Sequence, residues 1–241
     1  MMENKKCKKW PIIISNFSLV YESYDFFSEW NTHWIDCSDL VGVDGMCDKD
    51  GRESIQRLFE NEPYSAIHLL DNGNYHYLSL FWCSKIPFDF SLVLFDHHSD
   101  MQKSIFDGIL SCGGWVKSLL DSNPHLRHVY MFGVDFVDPD LLTGYEDRIT
   151  LQADLSQQLG DFPLYLSIDL DVLSDSYMQT NWDQGHYSFA QLLAQIAMMW
   201  KTNNILGVDI CGEDTSYSAV KCNQTTYRLL IEKLLDLSNE K

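Results

Sequence analysis

The sequence has little of what membrane and nucleic-acid partners require. No stretch of the 241 residues approaches the roughly 18 consecutive apolar residues that a membrane-spanning helix needs. Residues 1–9 are polar and lysine-rich, and no apolar signal core follows them, so we expect a cytoplasmic protein. The 17 Lys and Arg residues are outnumbered by 35 Asp and Glu, and the formal net charge of −18 argues against nucleic acid and anionic membranes as partners.

The cysteines do not form a recognisable framework. The chain has seven of them, an odd number, and no two form a Cys-x-x-Cys pair. A disulfide scaffold and a zinc ribbon are therefore both disfavoured, and we expect most of the thiols to be reduced and buried.

Short apolar runs alternate with stretches of helical spacing along the chain. Such an alternation predicts a three-layer α/β/α sandwich around a mainly parallel sheet, and the length suits one domain over residues 1–241. The predicted strands lie at 11–14, 66–70, 91–95, 128–132, 164–168 and 204–208, and the predicted helices at 53–59, 115–120 and 189–200.

Two of the predicted strands lead into patterns of metal-binding side chains. Asp96, His98 and Asp100 occupy alternate positions, as do Asp169 and Asp171. Alternate residues of an extended chain share a face, and ligands gather at the carboxyl ends of parallel strands. Four converging carboxylates repel one another unless cations neutralise them, and one divalent ion offsets only two charges. The pattern therefore favours two metal ions of the hard or borderline type, such as Mn²⁺.

These residues resemble the signature of a known enzyme family. Asp96-His97-His98-Ser99-Asp100 and Ser167-Ile168-Asp169-Leu170-Asp171 resemble the Asp-x-His-x-Asp and Ser-x-Asp-x-Asp motifs of the ureohydrolases, which include arginase, agmatinase and formimidoylglutamase. Gly73-Asn74-Tyr75-His76 is similar to a degenerate Gly-Gly-Asp-His, and Gly207-Val208-Asp209-Ile210 to the Gly-x-Asp-Ile segment. The resemblance covers about residues 65 to 215, whereas residues 1–64 match poorly.

The resemblance implies an arginase-like fold and a hydrolase that acts on non-peptide C–N bonds of linear amidines. It implies two Mn²⁺ ions and a metal-bridging hydroxide that attacks a guanidino or amidine carbon, releasing urea or a related small product. One ion would be held by His76, Asp96, Asp100 and Asp169, and the other by Asp96, His98, Asp169 and Asp171. Family members often form trimers or hexamers, so a homo-oligomer is compatible with the resemblance.

Several positions depart from the family pattern. Cys112 replaces the His that is thought to shuttle protons and is a candidate catalytic residue in its place, although a buried spacer is the commoner role of a cysteine. His186 is the candidate substitute for that His in both catalysis and substrate binding. Glu213 is the expected catalytic and substrate-anchoring Glu, although it stands one position late. Met101-Gln102 follows Asp100 where arginases place an Asn that binds the free amino acid, so Gln102 is a candidate for substrate binding. Asp100 is also a candidate catalytic residue. The substrate is therefore left open between a small guanidino or amidine compound and an arginine-containing peptide.

Two alternatives to a ureohydrolase remain open on the sequence. One is a metal-binding protein of the arginase fold whose catalysis is lost or altered. The other is an amide hydrolase of the related deacetylase type, although the paired His of that site is not found before Asp96.

Overall fold

The computed structural model describes residues 10–104, 106, 108–152 and 159–240, so the polar segment 1–9 lies outside the described residues. Within them the chain forms ten strands and six α-helices. The strands are β1 (Ile12–Asn16), β2 (Thr32–Asp36), β3 (Met46–Cys47), β4 (Ile67–Leu69), β5 (Phe90–Phe95), β6 (Leu110–Ser111), β7 (Leu126–Phe132), β8 (Ile149–Thr150), β9 (Leu164–Asp169) and β10 (Ile205–Cys211). The helices are α1 (Lys49–Phe59), α2 (Leu78–Cys83), α3 (Trp115–Ser122), α4 (Pro139–Leu142), α5 (Phe189–Thr202) and α6 (Tyr217–Asn239).

Eight of the strands form one parallel sheet. Its order is β2, β1, β4, β10, β9, β5, β7, β8, and β3 pairs separately with β6 in an antiparallel ribbon. All six strands predicted from apolar runs belong to this sheet. The poorly matched first 64 residues contribute β1 and β2 to the same sheet.

The sheet is buried on both faces, which explains why its strands read as continuous apolar runs. Val93 and Phe95 of β5 pack in one hydrophobic cluster with α5 and α6, whereas Leu92 and Leu94 pack in the other with α1, α2 and α3. Helices therefore cover both faces, and the predicted three-layer α/β/α sandwich is confirmed. In the described ranges, no helix combines the length and the apolar character that crossing a bilayer requires.

Candidate metal centre

A cleft of about 480 Å³ opens at the carboxyl ends of β5 and β9, which are neighbours in the sheet. Asp96 follows the last residue of β5, and Asp169 is the last residue of β9. All six side chains that the sequence assigns to metal binding line this cleft: His76, Asp96, His98, Asp100, Asp169 and Asp171. The strand order thus brings together segments that are more than sixty positions apart in the sequence.

The first group of ligand-type atoms surrounds the ring of His76, which follows a short 3₁₀ turn after β4. Its Nδ1 lies 3.0 Å from Oδ2 of Asp100 and 3.3 Å from Oδ2 of both Asp96 and Asp169. These are the four residues that the resemblance assigns to one ion. Their metal-binding role stays a prediction, but the donor atoms of His76, Asp96 and Asp100 lie close enough together to share a cation.

The opposite edge of the His76 ring is fixed by a hydroxyl relay. Nε2 lies 2.9 Å from Oγ of Ser167, and that oxygen lies 2.9 Å from Oγ of Ser79. A proton on Nε2 would be donated to Ser167, which leaves the Nδ1 lone pair directed at the three carboxylates. Burial alone would lower the pKa of His76, but hydrogen bonds with Asp100 and Asp96 raise it well above its ordinary value. The surrounding carboxylates therefore favour the protonated ring when no metal ion is present.

The second group consists of Asp96, His98 and Asp171. Nδ1 of His98 lies 2.9 Å from Oδ2 of Asp171 and 3.5 Å from Oδ1 of Asp96. Hydrogen bonds with Asp171 and Asp96 raise the pKa of His98 to about 12. Asp96 belongs to both groups, so the two candidate sites adjoin one another.

The charge balance of this cluster fits divalent cations. Burial and the neighbouring Asp171 raise the pKa of Asp169 well above its ordinary value, and burial and Asp96 raise that of Asp171 to about 6. Oδ2 of Asp96 is buried, and its contact with Nδ1 of His76, at 3.3 Å, is long for a hydrogen bond. A buried carboxylate oxygen with so weak a partner is costly unless a cation approaches it. The oxygen-rich donor set with two imidazoles is the kind that Mn²⁺ and similar ions prefer.

Asp100 is held in a strained conformation. Its φ of 52° lies in the left-handed region that non-glycine residues seldom adopt. The buried indole of Trp115 donates a hydrogen bond of 2.6 Å to Oδ2 of Asp100, and the Asp100 carbonyl accepts one from Val116. Strain of this kind persists where surrounding contacts require it, as at a ligand position.

Cys112 and Gln102 line the cleft as expected, but the thiol is poorly suited to proton transfer. Burial and the nearby charge of Asp100 raise the pKa of Cys112 to about 11. A proton shuttle works best with a pKa near neutrality, so this shift is unfavourable for the catalytic role of Cys112, which stays a prediction. The Gln102 side chain packs against Gly113, where an added Cβ would meet it at 3.0 Å.

His186 does not line the cleft. Its side chain is 83% exposed, and its Nε2 lies 3.7 Å from Oδ2 of Asp135. The expected roles of His186 in catalysis and substrate binding stay predictions, because the ring is exposed but lies beside Asp135, which lines the cleft.

Glu213 also lies outside the cleft, contrary to the expectation that it anchors the substrate. Its carboxylate is fully buried and accepts hydrogen bonds of 3.0 Å from the Tyr24 hydroxyl and 3.2 Å from Asn223 Nδ2. Gly212, which stands where the family pattern places the Glu, has a φ of 101°. A Cβ at Gly212 would lie 2.3 Å from Oδ1 of Asp169, so no side chain fits there. The left-handed turn at Gly212 directs the next residue into the core.

Three residues that the sequence analysis did not assign lie beside the ligand groups. Asp183 approaches His98 and His97, and Trp182 and Asp135 line the cleft. The sequence signal for Asp183 is its place two residues before a Gly-His pair in the loop after the second motif. Its direction toward His98 depends on the loop's path, which the sequence pattern does not encode.

Comparison with known proteins identifies the fold of the chain. The chain matches no protein-family model. A Thermotoga maritima protein described as uncharacterized is 34% identical over 148 residues, which cover 61% of this chain and 58% of that protein. The chain thus spans less than two-thirds of the length of the curated relative that it matches.

Solved structures of ureohydrolases superpose on nearly the whole chain at low sequence identity. Arginase from Bacillus subtilis gives a TM-score of 0.66 at 14% identity, covering 95% of this chain and 98% of that one. Agmatine ureohydrolase of Thermoplasma volcanium gives 0.67 at 14% identity, covering 99% and 92%. Formimidoylglutamase from Bacillus subtilis gives 0.65 at 13% identity, covering 99% and 89%. The chain therefore has the arginase-like fold, which confirms the fold that its motifs imply.

Proposed function

We propose that this chain is a divergent ureohydrolase, a metal-dependent hydrolase that cleaves a guanidino or amidine C–N bond with the help of two divalent ions, preferably Mn²⁺. The main observation behind the proposal is that two groups of metal-ligand side chains, which share Asp96, lie in one cleft. A structural similarity to hydrolases of known class supports it, and one similar structure, a Trypanosoma cruzi formiminoglutamase variant, is described with Mn²⁺.

The proposed ligand sets extend each of the two groups by Asp169, whose Oδ2 lies 3.3 Å from Nδ1 of His76. His76, Asp96, Asp100 and Asp169 would hold one ion, and Asp96, His98, Asp169 and Asp171 the other. When bound, such ions supply Lewis acidity toward the scissile group and lower the pKa of a water molecule toward neutrality. Ser167 and Trp115 fix the orientation of His76 and Asp100 through single hydrogen bonds.

The walls of the cleft indicate how a substrate would be bound. Met46, Phe106, Phe136 and Trp182 line it with exposed apolar surface, which can contact the carbon skeleton of a substrate and displace water. Gln102 offers an amide for a polar group. Since Glu213 lies in the core, a cationic guanidinium would have to pair with other carboxylates. Asp135 and Asp138 line the cleft and are of that type.

The substrate class stays broad under this proposal. It includes small guanidino and amidine compounds and an arginine side chain within a peptide. The similar structures are named for arginine, agmatine and formimidoylglutamate chemistry, which span most of that range.

A second candidate is a metal-binding protein without turnover, and two observations favour it. Burial and the charge of Asp100 raise the pKa of the Cys112 thiol to about 11, and the carboxylate of Glu213 points away from the cleft. Cys112 stands where the ureohydrolase pattern has a catalytic His, and Gly212 stands where it has the Glu. This candidate predicts bound metal and no product from any substrate.

The test is product release by Mn²⁺-loaded protein with arginine, agmatine, other guanidino acids, formiminoglutamate and an arginine-containing peptide, scored for urea, ammonia and formamide. We expect one substrate class to yield product, and Asp171→Ala to abolish it. Asp175→Ala is the matched control, because Asp175 lies in the same segment and its side chain is exposed to solvent. If no substrate yields product although metal is bound, the hydrolase proposal is rejected and the second candidate is favoured.

A further inference from the structure

Asp183 lies on the outer side of the second ligand group, which consists of Asp96, His98 and Asp171. Its Oδ1 lies 3.2 Å from Nε2 of His98, and its Oδ2 lies 3.6 Å from Nε2 of His97. One carboxylate thus spans two neighbouring imidazoles, of which only His98 belongs to the proposed ligand set.

The two ring nitrogens of His98 have different neighbours. Nδ1 is directed at Asp171 and Asp96, whereas Nε2 is directed at Asp183. A neutral imidazole that donates its Nδ1 lone pair to a metal carries its proton on Nε2, and that proton needs an acceptor. A carboxylate in this position fixes both the tautomer and the ring angle.

A third metal ion among His97, His98 and Asp183 is the competing interpretation, since their donor atoms lie within 4.8 Å of one another. With Nδ1 of His98 already used, Nε2 could bind another ion only if the ring lost both protons. That state is far less accessible than a neutral imidazole near pH 7. We infer that Asp183 is a positioning residue that orients His98 for the proposed metal centre; this inference rests on the proposed function.

The loop that carries Asp183 is fastened on both sides. Trp182 Nε1 donates a 2.9 Å hydrogen bond to the Asn74 side chain, and Asn181 Oδ1 accepts one of 2.8 Å from the Gly73 amide. On the other side, the Gly185 amide donates a 2.7 Å hydrogen bond to the Asp171 carbonyl. The loop therefore ties the turn before His76 to the Asp171 backbone, and Asp183 lies between these attachments.

The size of the effect follows from exposure. The Asp183 side chain is 77% exposed, so solvent screens its charge and the pair contributes little to folding. The Asp183 carboxylate instead controls the orientation of His98, which is a proposed metal ligand. Loss of a hydrogen-bond partner of a metal ligand typically lowers metal affinity by about 10- to 100-fold. The lower end, about tenfold, is expected for so exposed a carboxylate.

The experiment is a Mn²⁺ titration of the full chain, followed by electron paramagnetic resonance, for wild type, Asp183→Ala, Asp183→Asn and the control Asp175→Ala. We expect two ions in all four proteins, with the weaker affinity lowered about tenfold in Asp183→Ala. Asp183→Asn should retain most of the affinity, because its amide oxygen still accepts the Nε2 proton. The melting temperature of the metal-free protein should be equal in all four, which excludes a general folding defect.

Each other outcome overturns the inference in a recognisable way. Wild-type affinity in Asp183→Ala would show that His98 needs no outer partner, while leaving the proposed centre intact. Loss of a third ion in Asp183→Ala would identify an outer metal site instead. Equal losses in Asp183→Asn and Asp183→Ala would show that negative charge acts, rather than hydrogen-bond acceptance. Absence of Mn²⁺ binding in wild type would reject the proposed function together with the inference.

Discussion

Replacing Glu213 by Gln should stabilise the metal-free protein above about pH 7. Burial raises the pKa of Glu213 from its ordinary 4.5 to about 8, although Asn223 and Tyr24 donate hydrogen bonds that lower it. A carboxyl group whose pKa is higher in the folded state than in the unfolded state keeps its proton on folding. Folding stability is therefore lost as the pH rises from 4.5, and the loss is complete above about 8.

The magnitude follows from these two pKa values. One pH unit corresponds to about 1.4 kcal/mol, so the difference between 4.5 and about 8 costs up to about 5 kcal/mol above pH 8. The glutamine side chain of the variant would be neutral at every pH and keeps an oxygen for the Tyr24 hydroxyl. One of its amide hydrogens is left without an evident acceptor, which costs about 1–3 kcal/mol. The net gain at pH 9 is therefore expected to be about 2–4 kcal/mol, and there should be no gain at pH 4.5.

The assay is urea unfolding of both proteins in a chelator at pH 4.5, 7 and 9. Glu60→Gln serves as the control, because the Glu60 side chain is exposed to solvent at the end of α1. A free energy of unfolding for Glu213→Gln that stays equal to wild type at pH 9 would refute the reasoning. If Glu213→Gln loses catalytic turnover and gains no stability, the result would instead support Glu213 as a residue that binds the substrate.

Three further outcomes are expected. Trp115→Phe removes the indole that donates a hydrogen bond to Asp100, so the free energy of unfolding should fall by about 1.5–3 kcal/mol. Mn²⁺ binding, measured by calorimetry, should also weaken, and an unchanged affinity would contradict this prediction. Gly212→Ala should lower the free energy of unfolding by more than about 1 kcal/mol in denaturant, because Gly212 has a φ of 101° and an added Cβ would meet Asp169. An unchanged free energy would contradict the left-handed turn at Gly212. Mn²⁺ at 100 times its dissociation constant should raise the free energy of unfolding by about 2.7 kcal/mol, and no shift would mean that no site binds it.

Much of the sheet and of the ligand cluster could be predicted from the sequence, because both depend on local spacing. A strand buried on both faces is a continuous apolar run, and residues two apart share a side of the extended chain. Asp96 and Asp169 therefore fall at strand ends, whereas Asp100 lies in the loop after β5, where its left-handed backbone departs from the extended chain that the sequence predicts. The short turn that delivers His76 was found through its resemblance to a known motif, since its own pattern is degenerate.

The positions that the sequence did not predict depend on long-range packing. Tyr24 and Glu213 are 189 positions apart, and their hydrogen bond exists because the aromatic N-terminal segment packs against α6. The burial that raises the pKa of Cys112 likewise comes from the folded cleft. The 3₁₀ turns at Val20–Ser23 and Asp25–Glu29 and the long helix α6 gave no clear local signal. In each case the determining contact joins distant segments.

The most direct test of the account is the number and position of Mn²⁺ ions in crystals of the full chain, located by anomalous diffraction. The account predicts two adjoining peaks that share Asp96, one next to His76 and the other next to His98. No peak at Asp96, or a peak confined to the outer pair of His97 and Asp183, would contradict it.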